Sequence, residues 1–185
     1  MSGDLDPIDV TVTFLEMRAR PRLYPPAPVN RQLALLRTKK VPLHFYRYLI
    51  DRVGRKWNWV NVLRMSDRDL EALIHRPDRD IRVLYVDGAP AGIIDLRLKL
   101  PDESELTFFG MMEHVIGQGL GRWFLGAAIE AAWSHEPRRV AVQTCTLDHP
   151  AALPLYQKLG FSPVGQQKVT VQPLSMAARA ESVMR

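Results

Sequence analysis

The chain has 185 residues, of which 46% are hydrophobic and 24% are charged, a composition typical of one globular domain. A single cysteine, Cys145, excludes an internal disulfide and a cysteine-rich zinc site, so we predict no metal and expect a cytoplasmic location. The net charge of +5 and the pI of about 9.6 favour an anionic partner, either nucleic acid, a membrane surface or a phosphate-rich cofactor.

The distribution of basic and apolar residues along the chain distinguishes between these three kinds of partner. The basic residues are scattered and form no run that resembles a nucleic-acid-binding arm. No apolar run reaches the roughly 18 residues that a membrane-spanning helix needs. Acidic residues precede the apolar ones in the first ten residues, MSGDLDPIDV, which argues against a secretory signal. We therefore expect no membrane partner, and nucleic acid is the weaker candidate.

Hydrophobic periodicity and turn residues predict an α/β domain with a mixed sheet. Asp87-Gly88 between two apolar runs is typical of a hairpin, and Ser66 is a predicted helix cap. The proline-rich stretch 20–29 is predicted to be a surface connection. The predicted elements, in chain order, are strands at 10–17 and 33–38, helices at 44–53 and after Ser66, a hairpin of 81–86 and 91–98, a strand at 105–112, a helix at 120–133, a strand at 140–146, a helix at 150–158, a strand at 164–171, and a weak helix or flexible tail at 176–185.

Three alternating glycines, Gly117, Gly119 and Gly121, stand where the strand at 105–112 gives way to the helix at 120–133. The first N–H groups of a helix have no partner within it, and bare backbone lets a phosphate approach them. The G-x-G-x-G spacing fits neither the P-loop nor the dinucleotide fingerprint G-x-G-x-x-G. The glycines therefore predict a phosphate cradle of another kind, with a plain strand–helix corner as the alternative.

Two motifs together resemble the GNAT superfamily of acyl-CoA-dependent N-acetyltransferases. The first is the glycine corner, Ile116-Gly-Gln-Gly-Leu-Gly121, which resembles the family's Arg/Gln-x-x-Gly-x-Gly/Ala signature. The second is His149-Pro-Ala-Ala-Leu-Pro-Leu-Tyr-Gln-Lys-Leu-Gly-Phe161, which ends in the family's Tyr-x-x-x-Gly-Phe pattern. The chain departs from the family where Ile116 replaces Arg or Gln and where His149 replaces a common Asn. The resemblance covers about 81–165 and the helix pair upstream.

The resemblance implies the GNAT fold over one domain, 1–185, with a central mixed, twisted sheet of about six or seven strands flanked by helices and splayed at the cofactor site. It leaves unexplained an extra N-terminal strand and connection at about 8–32. It also implies acetyl-CoA as co-substrate, with the pyrophosphate on the glycine corner and the pantetheine arm in the splay beside the backbone of 111–112. The cofactor-binding residues so expected are Met111, Met112, Ile116, Gly117, Gln118, Gly119, Leu120, Gly121, Arg122 and His149.

Amine acylation needs a base for the acceptor ammonium and an acid for the leaving thiolate. Tyr156 matches the family's acid in its position four residues before Gly160, and Glu105, at the start of the central strand, is the candidate base. A backbone N–H near Met111 is expected to polarise the thioester carbonyl. Cys145 suggests an acyl-cysteine route, but a lone strand cysteine is usually a small buried hydrophobe.

These expectations define an N-acetyltransferase that works by direct attack in a ternary complex. The acceptor is a small-molecule amine or a protein lysine, and the aromatic side chains of 45–59 lie where the family covers the acceptor. A homodimer is left open. The alternative hypotheses are a non-catalytic acyl-CoA-binding sensor module and a nucleic-acid-associated protein.

Overall fold

The computed structural model describes residues 5–185. The prediction that the chain does not begin with a secretory signal rests partly on residues 1–4, which lie outside the described residues. Each predicted element is present within a few residues of its predicted bounds. The elements are β1 (Ile8–Met17), β2 (Leu33–Arg37), α1 (Leu43–Gly54), α2 (Asp67–Ile74), β3 (Arg79–Val86), β4 (Ala89–Lys99), β5 (Glu103–Met111), α3 (Gly121–Trp133), β6 (Arg139–Cys145), α4 (Ala152–Lys158), β7 (Ser162–Val171) and α5 (Met176–Met184).

The described strands form one mixed sheet of seven, in the order β2-β3-β4-β5-β6-β1-β7, which confirms the predicted architecture. Only β5 and β6 pair in parallel, because α3 connects them as a crossover; the other described pairs are antiparallel. The N-terminal strand β1 lies between β6 and β7, so a segment that the family resemblance does not explain is an interior strand of the sheet.

The helices cover both faces of the sheet, and each face has its own hydrophobic core. One core contains the buried stripe of α3, including Phe124 and Ala128, and the buried Tyr156 of α4. The other contains α1 and α2, with Leu49 and Leu70 fully buried. Ser66 caps α2 as predicted, since its side chain accepts a hydrogen bond from the Asp69 N–H at 3.1 Å. No helix in residues 5–185 is long and apolar enough to cross a membrane.

The C-terminal segment, predicted to be a weak helix or a flexible tail, is helical in the structure. It forms helix α5, which begins at the Ser175 cap and packs on α1. Arg179 is buried and lies 3.3 Å from Asp51 of α1, and the Ser182 hydroxyl donates to the Leu63 carbonyl at 2.6 Å. Apolar periodicity does not detect this packing, because the residues that α5 buries include the polar Arg179 and Ser182.

A bulge in β5 is supported by a buried ionic cluster. The register between β4 and β5 shifts between Asp95 and Leu96, which leaves Thr107 as the extra residue of β5. Behind it, the fully buried Asp95 carboxylate accepts hydrogen bonds from Tyr46 at 2.6 Å and from Arg79 at 2.9 Å. Arg79 also reaches the Thr107 hydroxyl at 3.4 Å. The cluster therefore ties the bulge to β3 and α1.

Burial raises the pKa of Asp95 to about 6, against an ordinary value of 3.8, despite the opposing charge of Arg79. Between these two values the carboxyl is protonated in the folded protein and ionised in the unfolded chain, so its contribution to stability is lost as the pH rises. We predict that the free energy of unfolding of wild type falls by about 2 kcal/mol relative to Asp95→Asn between pH 4 and pH 6.5.

Denaturant unfolding at a series of pH values measures this difference. Asp78→Asn is the control, because the hydrogen bond from Arg76 lowers the pKa of Asp78 and moves its titration below this range. Parallel pH profiles for wild type and Asp95→Asn would contradict the prediction.

Candidate active site

Strands β5 and β6 separate within the sheet. Their parallel pairing runs from Glu103–Arg139 to Leu106–Val142, and beyond it both strands continue without pairing to each other. The bulge residue Thr107 follows the last pair directly, and a bulge bends its strand, so the two strands diverge from this point. The predicted splay between them is present.

The separated part of β5 presents backbone groups to the gap. Met112 does not contribute its N–H, which donates to the Ala91 carbonyl of β4 at 2.7 Å. The backbone N–H and C=O groups of successive residues alternate in direction along an antiparallel ladder. The backbone groups of Met111 and Phe109 therefore point away from β4 and toward the gap. Of the two methionines that we expected to contact the cofactor through backbone, Met111 is therefore the one in position, and Met112 is a buried core residue.

The glycine corner leaves several backbone N–H groups without partners among the described residues. Gly117 and Gly119 have φ values of 81° and 79°, a left-handed conformation that glycine adopts readily. Helix α3 starts at Gly121, and the buried Leu120 anchors the corner in the core. Among the described residues, no hydrogen bond of residues 117–123 uses a backbone N–H as donor. These N–H groups fit the phosphates of a nucleotide cofactor.

Arg31, which sequence analysis did not select, lies against this corner. Its guanidinium donates to the Gln118 side chain and, at 2.9 Å, to Asp87 in the β3–β4 turn. The Gln118 amide in turn donates to the His114 carbonyl at 2.6 Å. Arg31 thus holds the glycine loop through the Gln118 side chain and places a guanidinium beside it. Only the fold brings these residues together, because 87 positions separate Arg31 from Gln118.

A cavity of about 560 Å³ connects the corner to the second motif. Six of the predicted site residues line it: Met111, Ile116, Gly117, Gly121, His149 and Tyr156. The remaining predicted cofactor residues Gln118, Gly119, Leu120 and Arg122 belong to the same loop and helix start but not to the cavity wall. The two motifs that sequence analysis paired are therefore parts of one site.

Tyr156 lies at the cavity with its ring packed edge-on against Phe161. Burial, together with the charge of Asp148, raises the pKa of the Tyr156 phenol well above its ordinary value. The group therefore keeps its proton at physiological pH.

Asp148 is the carboxylate that sequence analysis missed. It lines the cavity, and its Oδ2 atom accepts hydrogen bonds from the Thr144 hydroxyl at 2.8 Å and the Cys145 N–H at 2.9 Å. The signal in the sequence was its position three residues after the end of β6, because the gap opens toward the carboxyl end of this strand.

Cys145 and His149 also lie at the cavity. Burial and the nearby Asp148 raise the pKa of the Cys145 thiol, so the thiol is less nucleophilic than a free cysteine at neutral pH. The His149 ring packs edge-on against Trp57, and its Nδ1 accepts a hydrogen bond from the Ala151 N–H at 3.1 Å. His149 therefore orders the start of α4 as well as the cavity wall.

Glu105 does not reach the cavity. It lies in the part of β5 that still pairs with β6, and its carboxylate is 2.6 Å from the ammonium of Lys99. The prediction of Glu105 as a base placed it near the acceptor because it opens the strand, but the gap lies at the other end of β5. The structure thus brings Tyr156 together with Asp148 rather than with Glu105.

Comparison with known families agrees with this architecture. The model of the Acetyltransferase (GNAT) family matches residues 45–161, which is more than half of the chain. The protein belongs to the GNAT family. Among the curated proteins, none matches the chain.

Solved structures of GNAT proteins share the fold at low sequence identity. A tandem GNAT protein from the clavulanic acid biosynthesis pathway is 18% identical, with a TM-score of 0.59 over 94% of this chain and 57% of that one. A GCN5-related N-acetyltransferase from Kribbella flavida is 16% identical, with a TM-score of 0.59 over 89% and 58%. An aminoglycoside acetyltransferase from an uncultured soil metagenomic sample is 17% identical, with a TM-score of 0.56 over 68% and 86%. This chain spans less than two thirds of the first two structures.

We predict that Arg31→Ala weakens the binding of CoA roughly threefold to tenfold, because it frees the Gln118 side chain and removes a charge beside the glycine corner. Isothermal titration calorimetry measures the affinity. Arg18→Ala is the control, since Arg18 belongs to the same N-terminal segment but pairs with Glu16 on the surface. Equal affinities for wild type and Arg31→Ala would show that Arg31 plays no part in the cradle.

Proposed function

We propose that the protein transfers an acetyl group from acetyl-CoA to a primary amine, by direct attack of the amine in a ternary complex. The observation that carries the proposal is the single cavity that runs from the unpaired N–H groups of the glycine corner, along the free edge of β5, to the Tyr156 phenol. Membership of the GNAT family supports the same chemistry.

The glycine corner and the β5 edge fit CoA by their chemistry. A diphosphate accepts hydrogen bonds, and the N–H groups of residues 117–123 can donate them without a side chain in the way. Amide groups of an extended ligand can pair with the backbone of Met111 and Phe109 as an added strand would. Acetyl-CoA supplies an activated acyl thioester when it is bound.

Two side chains in the cavity suit the proton transfers of the reaction. The Asp148 carboxylate can bind the acceptor ammonium and take its proton. The protonated Tyr156 phenol can donate a proton to the leaving sulfur. The raised pKa of the Cys145 thiol argues against an acyl-cysteine intermediate and favours direct attack.

An assay of thiol release at saturating acetyl-CoA, with a panel of primary amines, tests the proposal. We predict that Tyr156→Phe lowers kcat about 10²-fold, since the acid is lost, while the KM for acetyl-CoA changes little. Cys145→Ser is the matched control in the same cavity and should keep a rate within about twofold of wild type.

Three results would contradict parts of this proposal. Full activity of Tyr156→Phe would remove the acid assignment. Loss of activity in Cys145→Ser would favour the acyl-cysteine route. Binding of CoA without thiol release on any amine would favour the sensor module over the transferase.

A further inference from the structure

The cavity continues past the reacting groups to a wall that the family match does not include. Four valines of β1 and β7 form it: Val10, Val12, Val169 and Val171. They lie outside residues 45–161, on the far side of β6 from β5. We infer that the acceptor is a small monoamine with an apolar body, an arylalkyl or alkyl amine; this inference rests on the proposed function.

The register of the strands makes this wall continuous. Val10 is directly opposite Val169 in the β1–β7 pair, and Val12 is directly opposite Cys145 in the β1–β6 pair. Residues opposite each other in a ladder, and residues two apart on one strand, share a face of the sheet. The four valines and Cys145 therefore present one apolar surface to the cavity.

The opposite side of this end of the cavity is aromatic. Trp59, from the connection between α1 and α2, packs on Phe108 of β5 with ring centroids 5.2 Å apart. Both residues line the cavity, together with Val60 and Val62. An apolar acceptor body would lie between branched aliphatic and aromatic side chains, which is the usual lining of a site for an apolar ligand.

The charge of the cavity limits the acceptor to one ammonium. Among the residues that line the cavity, Asp148 is the only Asp, Glu, Lys or Arg. Its Oδ2 atom already has two donors, whereas Oδ1 has only a long contact of 3.4 Å with the Trp59 indole nitrogen. One ammonium can therefore be neutralised at Oδ1. A second ammonium or a carboxylate on the acceptor would meet neutral polar side chains such as Asn61 and Gln143 but no further Asp, Glu, Lys or Arg in the cavity wall, so its transfer from water costs free energy.

The basic groups of a neighbouring pocket lie outside this cavity. Arg52, Arg55 and Lys56 line that pocket beside residues 111–116 and do not line the cavity that contains Asp148. Arg55 is paired with Asp51, and Lys56 lies 2.5 Å from Glu113. Amino acids with a free carboxylate, polyamines and aminoglycosides are therefore predicted to be poor acceptors.

Matched pairs of acceptors test the inference with the full chain and acetyl-CoA. Pentylamine and cadaverine differ by one ammonium, and phenethylamine and phenylalanine differ by one carboxylate. We expect the monoamine of each pair to have a kcat/KM at least about 30-fold higher, because the added charge has no partner in the cavity. N-acetyl-lysine methylamide, a single ammonium on a polar body, should also be a poor acceptor.

A variant that is expected to gain activity toward a diamine provides a second test. Val169→Glu adds a second carboxylate to the valine wall and should raise the kcat/KM of cadaverine relative to pentylamine at least about tenfold. Val164→Glu is the matched control, because Val164 is exposed on the same strand and is not part of the cavity. If Val169→Glu fails to fold, Val171→Glu and the wild-type panel decide the question.

The outcomes separate this inference from the proposed function. Thiol release that is equally fast with both members of each pair, or fastest with the lysine derivative, overturns the inference and leaves the acetyltransferase standing. No release with any amine overturns the acetyltransferase. In that case the binding of pentylamine against cadaverine to the CoA-loaded protein, measured by tryptophan fluorescence, still decides the inference: equal affinity contradicts it.

Discussion

The site depends on one break in backbone hydrogen bonding, where β5 and β6 stop pairing after Leu106 and Val142. Inside a sheet, backbone N–H and C=O groups need partners, and an open gap between two interior strands leaves them without protein partners. The gap opens toward the carboxyl ends of the two strands, where their backbone lines a cavity. Under the proposed function, an extended ligand with amide groups would pair with the free edge of β5.

Structures on both sides of the gap hold it open. On one side the bulge at Thr107 turns β5 away, and the buried Asp95–Arg79 pair holds that bulge against β3. On the other side β6 is paired along its length with β1 and cannot move toward β5 without losing those bonds. The N-terminal strand therefore holds one side of the gap in place and also supplies valines to the cavity wall.

The sequence predicted local features well and long-range placement poorly. The glycine spacing, the hairpin at Asp87-Gly88 and the cap at Ser66 are local chemistry, and the structure has all three. Contacts between distant segments were not predictable: Arg31 reaches the glycine corner only because β2 and β3 pair, and Asp148 meets the cavity only because β6 leaves β5. The direction of a backbone group depends on register, so Met111 and Met112 could not be distinguished from sequence.

Residue-resolved amide hydrogen exchange, measured by NMR with and without CoA, tests the central claim most directly. The Met112 N–H donates to Ala91, so it should exchange slowly in both states and serves as an internal reference. The account predicts that the Met111 N–H exchanges fast in the free protein and becomes protected at saturating CoA. An unchanged exchange rate at Met111, with CoA bound, would contradict the claim that the free edge of β5 binds the ligand.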